Sequence, residues 1–459
     1  MDLRLTIAIL TGKILSFILK LSGSGATAAP GLYALKIDPN LITKLSKKIK
    51  EGSIVVSGTN GKTTTSRLIG HLLGQNFDII HNRQGSNLER GIASTFIAKS
   101  SAFGNILETL ALWEADEAVL PEIIAKTKPK IVVFLNLFRD QLDRYGEVNT
   151  TRQKWARALK KLSTSSILIL NADDPGINIL AKNFKGKILS FGVEDEIVNL
   201  PAVKSVSDVS RCPNCGFMLK FAAVLSAHLG HYNCTKCSFK RETPQVSASK
   251  LRFSEDFSTK AQFSILNSQF SISYPLPGLF NVYNILAALS VTTLFNIDQK
   301  TILKTLTNFS TAFGRFQSAQ INDKSVVIFL IKNPAGTNEV LRTLALKNKI
   351  NLLTFLNDKI ADGRDVSWIW DTNWEIFKDK TNSIFTGGTR SLDMALRLKY
   401  AGLRLSKDSI YKELNYSISK ILHKLSNKDT LIILPTYTAL LSIQKYFSQS
   451  TESTKWQSQ

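Results

Sequence analysis

From Ser53 onward, short apolar runs alternate with segments of helical character. The runs are Ile54-Val55-Val56, Asp78-Ile79-Ile80, Leu110-Ala111-Leu112-Trp113, Ile131-Val132-Val133-Phe134, Ile167-Leu168-Ile169-Leu170 and Ile188-Leu189-Ser190-Phe191. Thr65 to Leu73, Pro121 to Lys126 and Gln153 to Leu162 read as helices between them. Strands alternating with helices predict an α/β fold with a doubly wound, mostly parallel sheet. The regularity breaks near Pro201, and residues 250 to 274 alternate as short antiparallel strands do. A helix from Asn281 to Phe295 returns the chain to the core, and a second α/β unit runs through Val326 to Phe329, Asn351 to Leu356, Ser383 to Thr386 and Leu431 to Pro435. The expected organisation is an N-terminal helical segment over 1–50, a central domain over 51–314 with an insertion at 206–245, and a C-terminal α/β domain over 315–459.

The first 21 residues are rich in Leu and Ile, but Arg4, Lys13 and Lys20 interrupt them, so the uncharged runs fall short of the ~20 residues a membrane span needs. Lys13 would also sit inside the apolar region of a signal peptide. An amphipathic helix docked on the body of the protein is the plainer expectation, with a membrane-surface contact as the alternative.

A chain of 459 residues, 44% hydrophobic, buries more than one core. Its 58 Lys and Arg against 36 Asp and Glu leave a net charge of +22, which favours an anionic partner. The cations are dispersed and not interleaved with aromatics in one stripe, which argues against nucleic acid. The cysteines change the picture more. All four lie in two pairs, Cys212-Pro-Asn-Cys215 and Cys234-Thr-Lys-Cys237, separated by 18 residues. Two such knuckles offer four thiolates to a tetrahedral Zn²⁺ with no open position, a structural zinc ribbon in a reducing compartment. The apolar stretch Ala222 to Leu225 speaks against a ribbon that reads nucleic acid, and His228 and His231 are expected to be bystanders.

Between the first strand and the first helix lies Val56-Ser57-Gly58-Thr59-Asn60-Gly61-Lys62-Thr63-Thr64. Glycines let backbone N–H groups converge on phosphate oxygens at a helix N-terminus; Lys62 reaches the β- and γ-phosphates, and Thr63 holds Mg²⁺. Val56 stands where the general P-loop pattern has its first glycine.

The variant Gly58 to Thr64 resembles the phosphate loop of the Mur ligase family. The segments Asn136 to Glu147, Asn171-Ala-Asp-Asp-Pro175, Gly278 to Ala288 and Gly314-Arg315 resemble that family's other signatures, in its order. The resemblance implies ATP and Mg²⁺, with Glu114 as a magnesium ligand, Asn281 and Asn284 near the adenine, and Arg315 on phosphate. Plainer readings stand beside these. Asp140, Asp143, Arg144 and Glu147 can pair on a solvated helix start, Asn281 can cap its helix, and Asp173-Asp174-Pro175 can be an ordinary turn.

Lys332 to Gly336, Leu356 to Trp368 and Thr386 to Arg390 extend the likeness, and with the inserted ribbon the chain resembles the MurT-type subunit of lipid II isoglutaminyl synthase. That family amidates the α-carboxylate of D-glutamate in the lipid II stem peptide during peptidoglycan synthesis, at the inner face of the membrane. A glutaminase needs a thiolate nucleophile, and no cysteine exists outside the ribbon. Ammonia must therefore come from a separate subunit, which the family supplies as GatD. The resemblance also implies that Asp365 completes that partner's Cys/His triad, although Asp358, Asp362 and Asp365 can equally be turn formers. Two other functions stay open: a Mur or folylpolyglutamate-type ligase that adds an amino acid, and a non-catalytic zinc module with a nucleotide switch.

Overall fold

The computed structural model describes residues 2–22, 27–83, 86–139, 148–195, 198–200, 210–266, 268–309, 316–321, 324–426 and 429–449. Arg315, Gly314 and the segment Asp140 to Glu147 lie outside these residues.

Strands β1 (Ser53–Ser57), β2 (Ile79–His81), β3 (Leu110–Glu114), β4 (Ile131–Phe134), β5 (Ile167–Asn171) and β6 (Lys187–Val193) form a parallel sheet in the order β6-β5-β4-β1-β3-β2. Every residue of β1, β3 and β4 is buried. Because side chains alternate across a strand, the two faces feed two separate cores. Ile54, Val56, Leu112 and Val133 face one core, while Val55, Trp113, Val132 and Phe134 face the other. Helix α4 (Lys62–Leu73) and the helix Gly278–Thr292 cover the first. The second is covered by α5 (Glu89–Lys99) and α6 (Leu120–Thr127), joined by the N-terminal helices α1 (Leu3–Leu21), α2 (Ala29–Ile37) and α3 (Leu41–Ser46).

Beyond β6 the sheet continues through β9 (Val246–Phe253), β10 (Thr259–Ile265) and β11 (Ser268–Tyr274), of which β9 is parallel to β6 and the last two are antiparallel neighbours. The cysteine insertion therefore leaves and re-enters between adjacent strands. Its own hairpin is β7 (Leu219–Ser226) with β8 (Leu229–Cys234).

A second sheet carries the C-terminal part in the order β12-β13-β16-β14-β15, from Gln317–Ile321, Lys324–Ile328, Thr430–Pro435, Ile350–Phe355 and Thr381–Gly387 respectively. Only β12 is antiparallel to its neighbour. The polar edge strand β12 and helix α5 escaped the reading by pattern. The helix at the phosphate loop begins at Lys62 rather than Thr65, so the loop's lysine is itself the first helical residue.

Candidate active site

The chain reverses after β1 through Gly58 to Gly61. Gly61 has φ +90°, and a Cβ there would stand 2.1 Å from Asn284 Oδ1, so the turn requires glycine. Asn136, at the end of β4, pins the loop from both sides. Its Oδ1 accepts from Asn60 N at 2.8 Å, and its Nδ2 donates to Asn60 O at 3.0 Å. Thr59 N donates to Asn136 O, and Thr59 Oγ1 accepts from Phe138 N.

Lys62 is buried and folds back over the loop, donating to Gly58 O at 2.6 Å and to Glu117 Oε2 at 2.9 Å, with Asp116 at 3.8 Å. Desolvation works against its charge, yet Glu117, Asp116 and Glu114 outweigh it and hold the Lys62 pKa above the ordinary lysine value. Burial pushes the Glu117 carboxyl up to about 7, against the pull of Lys62. Thr63 Oγ1 donates to Glu114 Oε1 at 2.8 Å. Asn87 Nδ2 donates to the same oxygen at 2.6 Å, and Asn82 brackets the Glu114 backbone through both its amide atoms. A hydroxyl and a carboxylate meeting at a helix N-terminus suit a hard, oxygen-seeking cation such as Mg²⁺. Asp116 and Glu117 belong to no motif of the sequence; their one local signal is the acidic run Glu114-Ala115-Asp116-Glu117 at the end of a buried strand.

The loop opens onto a cleft whose opposite wall is the C-terminal part. Phe280, Tyr283 and Asn284 line it from one helix, and Leu330, Lys332, Asn333 and Glu339 line it from the other side. Asn281 takes a supporting place. It donates to Pro277 O and accepts from Asn284 Nδ2 at 3.1 Å, so it orients the residue that faces the cleft. Asn60 and Asn333 exchange amide hydrogen bonds of 3.0 and 3.3 Å across the gap.

The four cysteine sulfurs lie within 4.8 Å of one another, with Cys212–Cys237 at 3.7 Å and Cys215–Cys234 at 3.5 Å. A tetrahedron built on ~2.3 Å Zn–S bonds has edges of about 3.8 Å, so the donor set fits that metal. The hairpin is also more than an appendage. Its turn brings Ser226 and Leu229 into the cleft wall, and Arg342 of the C-terminal part donates to Leu225 O at 2.8 Å. His228 is fully buried, 3.3 Å from Asp174 and against the Phe138 ring. Asp174 in turn accepts from Leu137 N and caps the helix that follows it. Asp173 accepts from Arg241 Nε at 2.6 Å and from Tyr283 Oη at 2.7 Å. The Asp-Asp-Pro turn is thus a buried joint between ribbon and phosphate loop.

On the second sheet, the three aspartates of the loop after β14 separate. Asp362 is buried and accepts from Thr438 N at 2.7 Å, capping the last helix. Asp358 pairs with Thr389 and Arg390. Asp365 is exposed, and a hydrogen bond from Ser367 together with the Arg390 charge holds its carboxyl below the usual range.

A doubly wound sheet carrying this phosphate loop, with a second α/β sheet closing the cleft, defines a protein of the Mur ligase class. The family model of the Mur ligase middle domain matches residues 56–235, and that of the MurT ligase C-terminal region matches residues 330–440. Among solved structures, the pseudomurein peptide ligase type C from Methanothermus fervidus superposes with a TM-score of 0.65 at 22% identity, over 88% of this chain and 80% of that one. MurF ligase from Thermotoga maritima, solved in complex with ADP, gives 0.63 at 13% identity over 90% and 83%. Two relatives match almost end to end. The lipid II isoglutaminyl synthase (glutamine-hydrolyzing) subunit MurT of Staphylococcus aureus (strain COL) is 33% identical over 94% of each chain. The subunit of the same name from Streptococcus pneumoniae (strain ATCC BAA-255 / R6) is 33% identical over 97% of each. The chain belongs to the family of MurT subunits of lipid II isoglutaminyl synthase.

Proposed function

We propose that this chain is the ATP-dependent synthetase subunit that converts the α-carboxylate of D-glutamate in the lipid II stem peptide to an amide, giving D-isoglutamine. The observation that carries the reading is one chain that joins the Lys62/Thr63/Glu114 phosphate site to a C-terminal part of the MurT ligase type. The carboxylate oxygen attacks the γ-phosphorus of ATP and ADP leaves. Ammonia then attacks the carbonyl carbon of the acyl phosphate, and inorganic phosphate departs with the C–O bond that breaks. Lys62 supplies fixed positive charge where charge moves between phosphates. Thr63 and Glu114 would hold Mg²⁺, which when bound neutralises phosphate charge. Asn284, oriented by Asn281, faces the cleft, and this pair is proposed to lie near the adenine, with Arg315 on phosphate.

The ammonia source in this reading is a GatD-type glutaminase subunit. Around Asp365 the surface supports a docked partner: Trp370 stacks edge-on against Tyr400, and Leu392 and Leu396 stand exposed on the same helix as Tyr400. The work takes place at the cytoplasmic face of the membrane that carries lipid II; no helix among the described residues is long and apolar enough to cross it.

The test is product mass. With ATP, glutamine, lipid II and the partner, the acceptor should gain an amide in place of an acid and no added residue. Addition of an amino acid instead would favour the Mur or folylpolyglutamate type of ligase.

Zinc is the second part of the proposal, with Cys212, Cys215, Cys234 and Cys237 as its ligands. Cys212→Ser should lower the metal content from about one zinc per chain towards zero. Since the hairpin turn lines the cleft, the same change should raise the KM for ATP several-fold as well as lower the melting temperature. Elemental analysis with steady-state kinetics reads both, and a metal-free protein with unchanged KM speaks against the proposal.

A further inference from the structure

Helix α1 is apolar on two opposite faces. Leu5, Ala8, Ile9 and Gly12 face inward and are buried, and Gly12 lets α1 approach α5 so closely that a Cβ there would stand 2.7 Å from Ile97 Cδ1. This face accounts for the docking of the helix on the body. The other face holds Leu3, Ile7, Leu10, Ile14, Phe17 and Leu21, at alternating steps of four and three, and each is 41–74% exposed. Residues so spaced form one straight stripe along a helix. Ile18 stands exposed beside it. Phe103 and Leu107, on the loop that holds Gly104 near Leu5 and Leu45, are exposed as well, Leu107 to 90%. A soluble domain does not ordinarily leave such a patch facing water.

Charge selects what covers it. Among residues 2–37 the only acidic side chain is Asp2, which caps α1 and pairs with Lys44, against Arg4, Lys13, Lys20 and Lys36. Lys13 and Lys20 lie one heptad apart along one flank of the stripe. A second copy of the helix would offer them one carboxylate, Asp2, which its own Lys44 already pairs. An anionic phospholipid surface neutralises them while its acyl boundary takes up the stripe. We propose that α1 lies in the plane of an anionic bilayer, its outer face sunk into the headgroup boundary, and seats the enzyme on the surface from which it draws its acceptor. The proposal rests on the reading of lipid II as the acceptor and adds the element that makes the contact.

The experiment uses the full chain and vesicles without lipid II, so its failure leaves the amidation reading intact. Flotation should recover the protein with vesicles containing about a third phosphatidylglycerol and far less with pure phosphatidylcholine, and high salt should release part of it. Ile14→Glu with Phe17→Glu should reduce recovery by about tenfold or more, because two outward apolar anchors become charged. The melting temperature and the amidation of a water-soluble acceptor fragment should stay as in the wild type. If that variant misfolds, Lys13→Gln with Lys20→Gln, which leaves the stripe intact, should weaken binding to anionic vesicles several-fold and to neutral ones not at all. Equal recovery of wild type and variants overturns the proposal. A dimer by light scattering that Ile14→Glu with Phe17→Glu dissociates overturns it too, and makes the stripe a contact between copies.

Discussion

Lys62→Ala is expected to abolish amidation whether nitrogen arrives as glutamine or as free ammonia. Lys62 is the buried cation of the phosphate loop, and its carboxylate neighbours keep it charged at any physiological pH. Bound ATP brings phosphate oxygens that compete with Gly58 O and Glu117 for its three protons. Activation of the carboxylate precedes the entry of nitrogen, so supplying ammonia does not bypass the loss. Removing one preorganised charge from such a site costs ~10²–10³-fold or more in kcat. The fold should survive. Glu117 loses its cation, but burial already pushes its carboxyl up to about 7, so a proton can take the place of the lost charge. The assay is ATP-dependent product formation with ammonium, alongside circular dichroism. Activity within a few-fold of wild type would sink the phosphate-loop assignment.

Asp365→Asn should divide the two nitrogen sources. Glutamine-driven amidation is expected to fall by ~10²–10⁴-fold, the range seen when a triad carboxylate becomes an amide that cannot hold its imidazole in the right tautomer. Amidation with free ammonia should be unchanged, because Asp365 lies on the second sheet and takes no part in the phosphate site. Its carboxylate is ionised at neutral pH, since the Ser367 hydrogen bond and Arg390 favour the charged form, and its exposure leaves it open to a partner. Asp362→Asn is the informative contrast. It weakens the cap on the last helix, costs ~1 kcal/mol of stability, and should leave the glutamine-to-ammonia ratio of rates where it was. Wild-type glutamine hydrolysis by the Asp365→Asn complex would end the shared-triad proposal and leave the synthetase reading untouched.

What the amino-acid order determined by itself was local. Continuous apolar runs mark buried strands because each strand is covered on both faces, and that property is written into a few consecutive residues. The phosphate loop is legible for the same reason: a glycine-containing turn followed by Lys62 and Thr63 is a contiguous device. So is the cysteine arrangement, whose two knuckles bring their own sulfurs together.

Tertiary structure decided whatever depends on residues far apart in sequence. Asn60 meets Asn333 only because two sheets face one cleft. Glu117 acts on Lys62 from the end of a neighbouring strand. The ribbon hairpin reaches the cleft wall only because β6 and β9 are adjacent. Asp358, Asp362 and Asp365 are indistinguishable as turn formers until Thr438 and Arg390 claim two of them and leave the third outward. Helix α1 shows the limit most plainly. Its composition is apolar on nearly every side, so periodicity cannot say which face the body covers; packing against α5 uses one stripe, and the stripe left over becomes a property of the folded surface.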